Sequence, residues 1–220
     1  MSDNFLYKAV MILIPMILSL TVHEYSHALA AKLLGDDTAE KQGRLNLNPL
    51  SHIDIFGTIL LPLLSIGTGI PFLGWAKPVP TNPRLYTHKI TMRTGYMLVS
   101  LAGPVSNFLF AFLSMIVLKI LIATMGATLS VQIYQILAIF IMMNFGLAFF
   151  NLLPIPPLDG SKILQWLLPD KYADFMENNG QYFFFLLIIL VFSGAIDYIV
   201  MPIFAIIRFF MSLFGLPTMI

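Results

Sequence analysis

From Thr94 to Leu118, and again from Val131 to Leu158, the chain runs without a single Asp, Glu, Lys or Arg. A helix that crosses a bilayer needs about 20 predominantly apolar residues, and both stretches supply more than that. Two others qualify: one from about Phe5 to Leu34, the other from about Gln181 to Val200. The stretch that begins at Thr94 continues past Lys119 to about Thr124. Composition agrees: 58% of residues are hydrophobic and 10% are charged. Soluble domains carry about 25% charged residues. A soluble fold could not hide this much apolar surface, and disordered chains are poor in apolar residues. A net charge of +1 gives no basic face for nucleic acid. The expectation is an integral, multi-pass membrane protein in contact with the lipid bilayer. Between Asp54 and Lys77 lies a weaker apolar stretch, interrupted by Pro62, Gly67, Gly69, Pro71 and Gly74. That pattern fits a broken or re-entrant segment. Residues 201–220 are apolar around Arg208, and either an interfacial or a crossing path is open to them.

Inside the first stretch stands His23-Glu24-Tyr25-Ser26-His27. Residues four apart share one face of a helix, so two imidazoles project together. The pair can bind one Zn²⁺, and the adjacent Glu24 can reach water on the metal as a general base. Ionisable residues within a membrane segment are costly and mark function by default. Polar glue between helices and a proton or ion relay are the competing readings of the same residues. Lys8, the apolar run and Ala28-Leu29-Ala30 imitate a secretory signal, but three ionisable residues inside the run argue against one.

A catalytic zinc site keeps about three protein ligands and an open position. With no cysteine, the third must be His, Asp or Glu. Most acidic residues (Asp36, Asp37, Glu40, Asp54, Asp170, Asp174 and Glu177) fall in polar loops and read as solvated charges. Asp159 instead ends a charge-free stretch, Asn151-Leu152-Leu153-Pro154-Ile155-Pro156-Pro157-Leu158-Asp159-Gly160. Its prolines break the helix, and broken backbone at membrane depth is tolerated where it lines a protein cavity. Asp159 is therefore the leading third ligand, and His52 with Asp54 is a rival pair that would share one face of a strand.

These two motifs together resemble the site-2 protease family of intramembrane zinc metalloproteases, in its compact prokaryotic form. Gly43 to Asp54, Gly74-Trp75-Ala76-Lys77-Pro78-Val79-Pro80 and Ala102-Gly103-Pro104-Val105-Ser106-Asn107 extend the resemblance, while Ser161 departs from the Gly-Gly that often follows the aspartate. The resemblance implies one zinc ion per chain on His23, His27 and Asp159, with Glu24 catalytic. It also implies a substrate or oxyanion contact at Asn151. Asn107 is a further candidate for that contact, and a helix-packing role is its alternative. No segment is long and polar enough for a PDZ domain, so substrate selection is expected from the membrane part, a homo-oligomer or an adaptor protein.

The expected fold is an all-α polytopic membrane protein with about four to six membrane helices around a buried zinc site. A re-entrant segment and a short β element, from the alternation in Arg44-Leu45-Asn46-Leu47-Asn48-Pro49, are placed between the first and second clean spans. Residues 1–220 are expected to form one membrane-embedded metalloprotease domain. A shared metal puts the end of the first stretch and Asp159 on one side, so Ile55–Ala76 must cross an even number of times. Lys41, Arg44, Lys77, Arg84, Lys89, Arg93, Lys162 and Lys171 lie on that side, which the positive-inside rule makes cytoplasmic. The expected activity is hydrolysis of a peptide bond in or near a transmembrane segment of a membrane protein in the cell (inner) membrane. A metal- or proton-dependent transporter or channel using the same cluster is the alternative.

Overall fold

The computed structural model describes residues 5–70 and 74–217. Helix α1 spans Phe5–Leu33, about 43 Å at the usual rise. Its hydroxyls turn back on their own helix: Ser19, Thr21 and Ser26 each donate to the carbonyl four residues earlier, at 2.7 Å. Polar side chains thus enter an apolar helix without stranding a donor. The helix ends at Gly35, whose φ of 105° suits glycine.

A short helix α2, Thr38–Lys41, follows. Asp36, expected as a solvated loop charge, is fully buried and accepts the N–H groups of Thr38 and Asn82. Two backbone donors supply what water would have supplied. The expected β element is corrected as well: among the described residues there is no strand. At 43–50 the asparagines capture the backbone instead. Asn46 Oδ1 accepts from Asn48 N at 2.8 Å, and Asn48 Oδ1 accepts from Leu50 N at 3.1 Å. Such local side-chain bonds compete with a ladder, and Pro49 has no donor to contribute.

Ile55–Leu60 forms wide π-type turns that pass into α3, Leu61–Thr68. Together, Ile55–Thr68 extends about 21 Å, short of the ~30 Å hydrocarbon core. Gly69, at φ 74°, closes the helix; residues 71–73, including the expected breaker Pro71, lie outside the described residues. The chain then returns to its starting level. Trp75 N donates to Gly57 O at 3.2 Å, and Thr58 Oγ1 donates to Trp75 O at 2.7 Å.

Helices α4, Met92–Met125, and α5, Val131–Asn151, form a hairpin capped by Thr91 and Ser130. With α1 they make a three-helix bundle in which every pair touches. Past the bundle come α6, Gly160–Leu167, α7, Asp170–Asn178, α8, Gly180–Phe192, and α9, Ala195–Leu213. Arg93 bonds Asp170 and Leu168 O, fastening the start of α4 to the α6–α7 junction. The chain bends by 70° between α7 and α8. The stretch expected as one span from Gln181 to Val200 is broken at Ser193-Gly194, where Gly194 takes φ 73°. Residues 201–213 continue α9, which packs on α5 around Ile203, Ile207 and Met211.

Among the described residues, three helices (α1, α4 with its extension to Thr128, and α5) are long and apolar enough to cross a membrane, or four if the bent α7–α8 pair counts as one. The surface has the matching inversion. Leu109 is 65%, Phe185 61% and Ile189 63% exposed, while Ser19, Asn107 and Asn144 are fully buried. Contiguous apolar exposure of this kind belongs against lipid. One close approach is testable: a Cβ on Gly57 would lie 2.5 Å from the Trp75 indole. Gly57→Ala should cost about 1–3 kcal/mol by overpacking. Thermal unfolding in detergent reads the loss, and an unchanged midpoint contradicts the packing.

Candidate metal centre

His23 and His27 lie one turn apart on α1, both buried, with ring centroids 4.6 Å apart. Their Nε2 atoms are 3.0 Å apart. Asp159 Oδ2 is 3.2 Å from the first and 3.4 Å from the second. Two local features bring these groups together. Gly103 on α4 passes so close that a Cβ there would overlap both imidazoles. Gly160, the first residue of α6, sits against the carbonyls of Leu152 and Leu153, where a Cβ would likewise collide. Between them, the proline-broken turns from Leu152 to Leu158 end α5 and swing Asp159 back toward α1.

The proton positions follow from two backbone carbonyls. His27 Nδ1 lies 2.7 Å from Val99 O, which can only accept, so Nδ1 carries the proton. On His23 the same logic runs through a chain of amides. Asn144 Nδ2 donates to Phe140 O and to Ser19 Oγ, both at 2.8 Å, so Asn144 Oδ1 is an acceptor. Asn107 Nδ2 donates to it at 2.8 Å and to Ser19 O at 3.2 Å, so Asn107 Oδ1 faces His23 Nδ1, at 2.6 Å, as an acceptor. With Nδ1–H turned to a fixed oxygen, both imidazoles point Nε2 toward each other and toward a carboxylate. Asp159 Oδ2 correspondingly has no hydrogen-bond partner. Three electron-pair donors converging in a buried site repel one another unless protons or a cation sit among them. Two imidazoles whose other nitrogen donates to a fixed oxygen, plus one carboxylate, are a donor set for a transition-metal ion such as zinc. The three ligand atoms lie within 4.8 Å of one another.

The other expected residues fall as follows. Glu24 is buried beside His23, and its Oε2 accepts the N–H of Val79 at 2.9 Å. Asn151 ends α5, half-buried, and donates to Leu147 O at 3.0 Å. Asn107, expected at the oxyanion or substrate, spends its amide on His23, Asn144 and Ser19, inside the bundle. His52 and Asp54 are outside the group: His52 Nε2 lies 2.8 Å from Asn46 O, and Asp54 accepts from Gly57 N at 2.8 Å. Sequence reading missed Asn144 and Ser19. On α6, Lys162 lies 4.7 Å over the Tyr96 ring, and burial draws its ammonium below the usual lysine range against the pull of Glu177.

The chain is similar to known proteins. The model of Peptidase family M50 matches residues 119–193, a segment that includes Asn151 and Asp159. YwhC of Bacillus subtilis (strain 168), which bears the name of a zinc metalloprotease, is 39% identical over 207 residues, covering 91% of this chain and 90% of that protein. The chain belongs to peptidase family M50. Rip2 of Mycolicibacterium smegmatis, named in the same way, is 31% identical over 182 residues, 82% of this M50 chain and 66% of its own length. MJ0611 of Methanocaldococcus jannaschii, again with a zinc metalloprotease name, is 43% identical over 68 residues, 31% of this chain and 32% of its own. No solved structure matches it. Membership of a peptidase family does not favour the transporter alternative. Since Asn107 orients His23, Asn107→Ala should weaken metal binding by about 10–100-fold. Chelator competition with zinc measures it, and an unchanged affinity contradicts the hydrogen-bond chain.

Proposed function

We propose that this M50 peptidase is an intramembrane zinc metalloprotease that hydrolyses a peptide bond in or near a transmembrane segment of another protein. The observation that carries the reading is the convergence of two imidazole Nε2 atoms and a carboxylate beside Glu24, inside a bundle whose outer surface is apolar. His23, His27 and Asp159 are the proposed ligands of one zinc ion per chain. When bound, that ion supplies Lewis acidity, polarising the scissile carbonyl and acidifying water.

The remaining chemistry belongs to the side chains. Glu24 takes the proton from the attacking water and later delivers it to the leaving amine. Its neighbour His23 is held by Asn107, and His27 by Val99 O, so neither ring turns during the reaction. Asn107 acts as a positioning residue. Asn151 keeps one amide hydrogen beyond its bond to Leu147 O, and that hydrogen is assigned to the oxyanion or the substrate backbone. A helical substrate hides its carbonyls in its own hydrogen bonds, so it must unwind before cleavage.

The α3 excursion, too short to cross and bonded to itself at Gly57 and Trp75, is read as re-entrant. Basic residues from Lys41 to Lys171 on the active-site side orient it toward the cytoplasm of the inner membrane. Residues 1–220 act as one metalloprotease domain, and substrate choice rests with the membrane part, a second copy or an adaptor. The test uses purified, zinc-loaded protein in detergent and dye-labelled casein, an unfolded probe that presents extended segments. Glu24→Gln should keep zinc and lose turnover, and Asp159→Ala should lose both. Turnover that survives Glu24→Gln, or stoichiometric zinc in Asp159→Ala, overturns the assignment.

A further inference from the structure

An extended strap of chain, residues 74–82, runs past Glu24 without regular structure. It is tied down on both sides of the carboxylate. Trp75 N bonds Gly57 O, and Lys77 N donates to His52 O at 2.9 Å. Asn82 N donates to the buried carboxylate of Asp36. Between these ties Arg44 Nη2 donates to Lys77 O at 2.7 Å and to Pro78 O at 3.3 Å. Pro78 and Pro80 have no N–H, so Val79 supplies the only backbone donor of Pro78-Val79-Pro80. That donor goes to Glu24 Oε2 at 2.9 Å.

We infer that the strap is a positioning element for the catalytic base: the Val79 N–H holds Glu24, and Arg44 clamps the strap that presents it. The inference rests on the reading of Glu24 as general base. A glutamate on a helix has three side-chain torsions, and burial alone does not choose among their rotamers. One fixed donor to Oε2 selects a rotamer and leaves Oε1 for the proton of the attacking water. The prolines on either side fix φ at 78 and 80, which lets a segment without secondary structure aim one N–H. Among the described residues Arg44 has no acidic partner; its hydrogen bonds go to two strap carbonyls, where a planar guanidinium can span adjacent acceptors. The Asp36 and His52 ties hold the ends of the strap in the same register.

The test compares zinc-loaded full-length proteins on dye-labelled casein. In one variant the Val79 amide is replaced by an ester, which deletes the N–H and keeps the side chain. The others are Arg44→Ala, Arg44→Lys and Glu24→Gln. The ester and Arg44→Ala should lower kcat about 10–100-fold, as expected for losing a hydrogen bond to a charged group, with KM changed less than about twofold. Zinc stoichiometry should stay at the wild-type value, and Arg44→Lys should recover part of kcat. Unchanged kcat in the ester variant, an effect confined to KM, or loss of zinc in parallel with activity overturns the inference. If Arg44→Ala does not fold, the ester variant decides. Full activity in Glu24→Gln removes the underlying reading itself, whereas an inactive Glu24→Gln beside a fully active ester variant removes only the strap.

Discussion

His23 Nε2, His27 Nε2 and Asp159 Oδ2 face one another across little more than 3 Å. Nδ1 of each ring is committed to an oxygen, so only Nε2 is left to face the carboxylate. Three electron-pair donors held this close are unstable without a proton or a cation among them, and much of the surrounding structure keeps them in place. Gly103 lets α4 approach the rings closely enough for Asn107 and Val99 to reach them. Asn144 and Ser19 complete the amide chain from α5 and α1, so the three bundle helices share one polar layer. The same layer that joins the helices also sets the tautomers of the candidate ligands. A metal that binds this arrangement but not the unfolded chain would add its binding free energy to the fold.

Regular helix supplies the two imidazoles and irregular backbone supplies most of the rest. Asp159 arrives at the end of proline-broken turns, and Val79 from a strap between two prolines. Helices place side chains four residues apart but cannot bring a carboxylate or a free N–H in from the side. Broken backbone does this at the cost of unpaired polar groups. Here Arg44 takes up the carbonyls of Lys77 and Pro78, and Asp36 accepts the N–H of Asn82. The apolar outside and polar inside of the bundle follow from the same division, since each polar group needs a protein partner when lipid surrounds the fold.

Much of this was legible in the sequence because its signals were local or scarce. The His23–His27 spacing is one helical turn, and charge is so rare that Glu24 and Asp159 stand out against apolar neighbours. The three long helices follow from hydropathy alone. Other features depended on contacts that a periodic pattern does not carry. Asn46 and Asn48 turned an apparent strand into capped turns, and Ser193-Gly194 divided an apolar run that reads as continuous. Asp36 looked like any loop acid until two backbone N–H groups were found on it. Asn144 and Ser19 are ordinary polar interruptions of apolar helices until their partners on other helices are known. Val79 acts through its backbone, for which its side-chain identity gives no signal.

One zinc ion is proposed to sit among His23, His27 and Asp159. Zinc K-edge X-ray absorption on purified protein, with the metal content measured on the same sample, tests it most directly. The expected result is one zinc per chain, bound by two imidazole nitrogens and oxygen ligands, and loss of the oxygen-bound site in Asp159→Ala. A shell with more than two imidazoles, or zinc that binds with the same spectrum after Asp159→Ala, would contradict it.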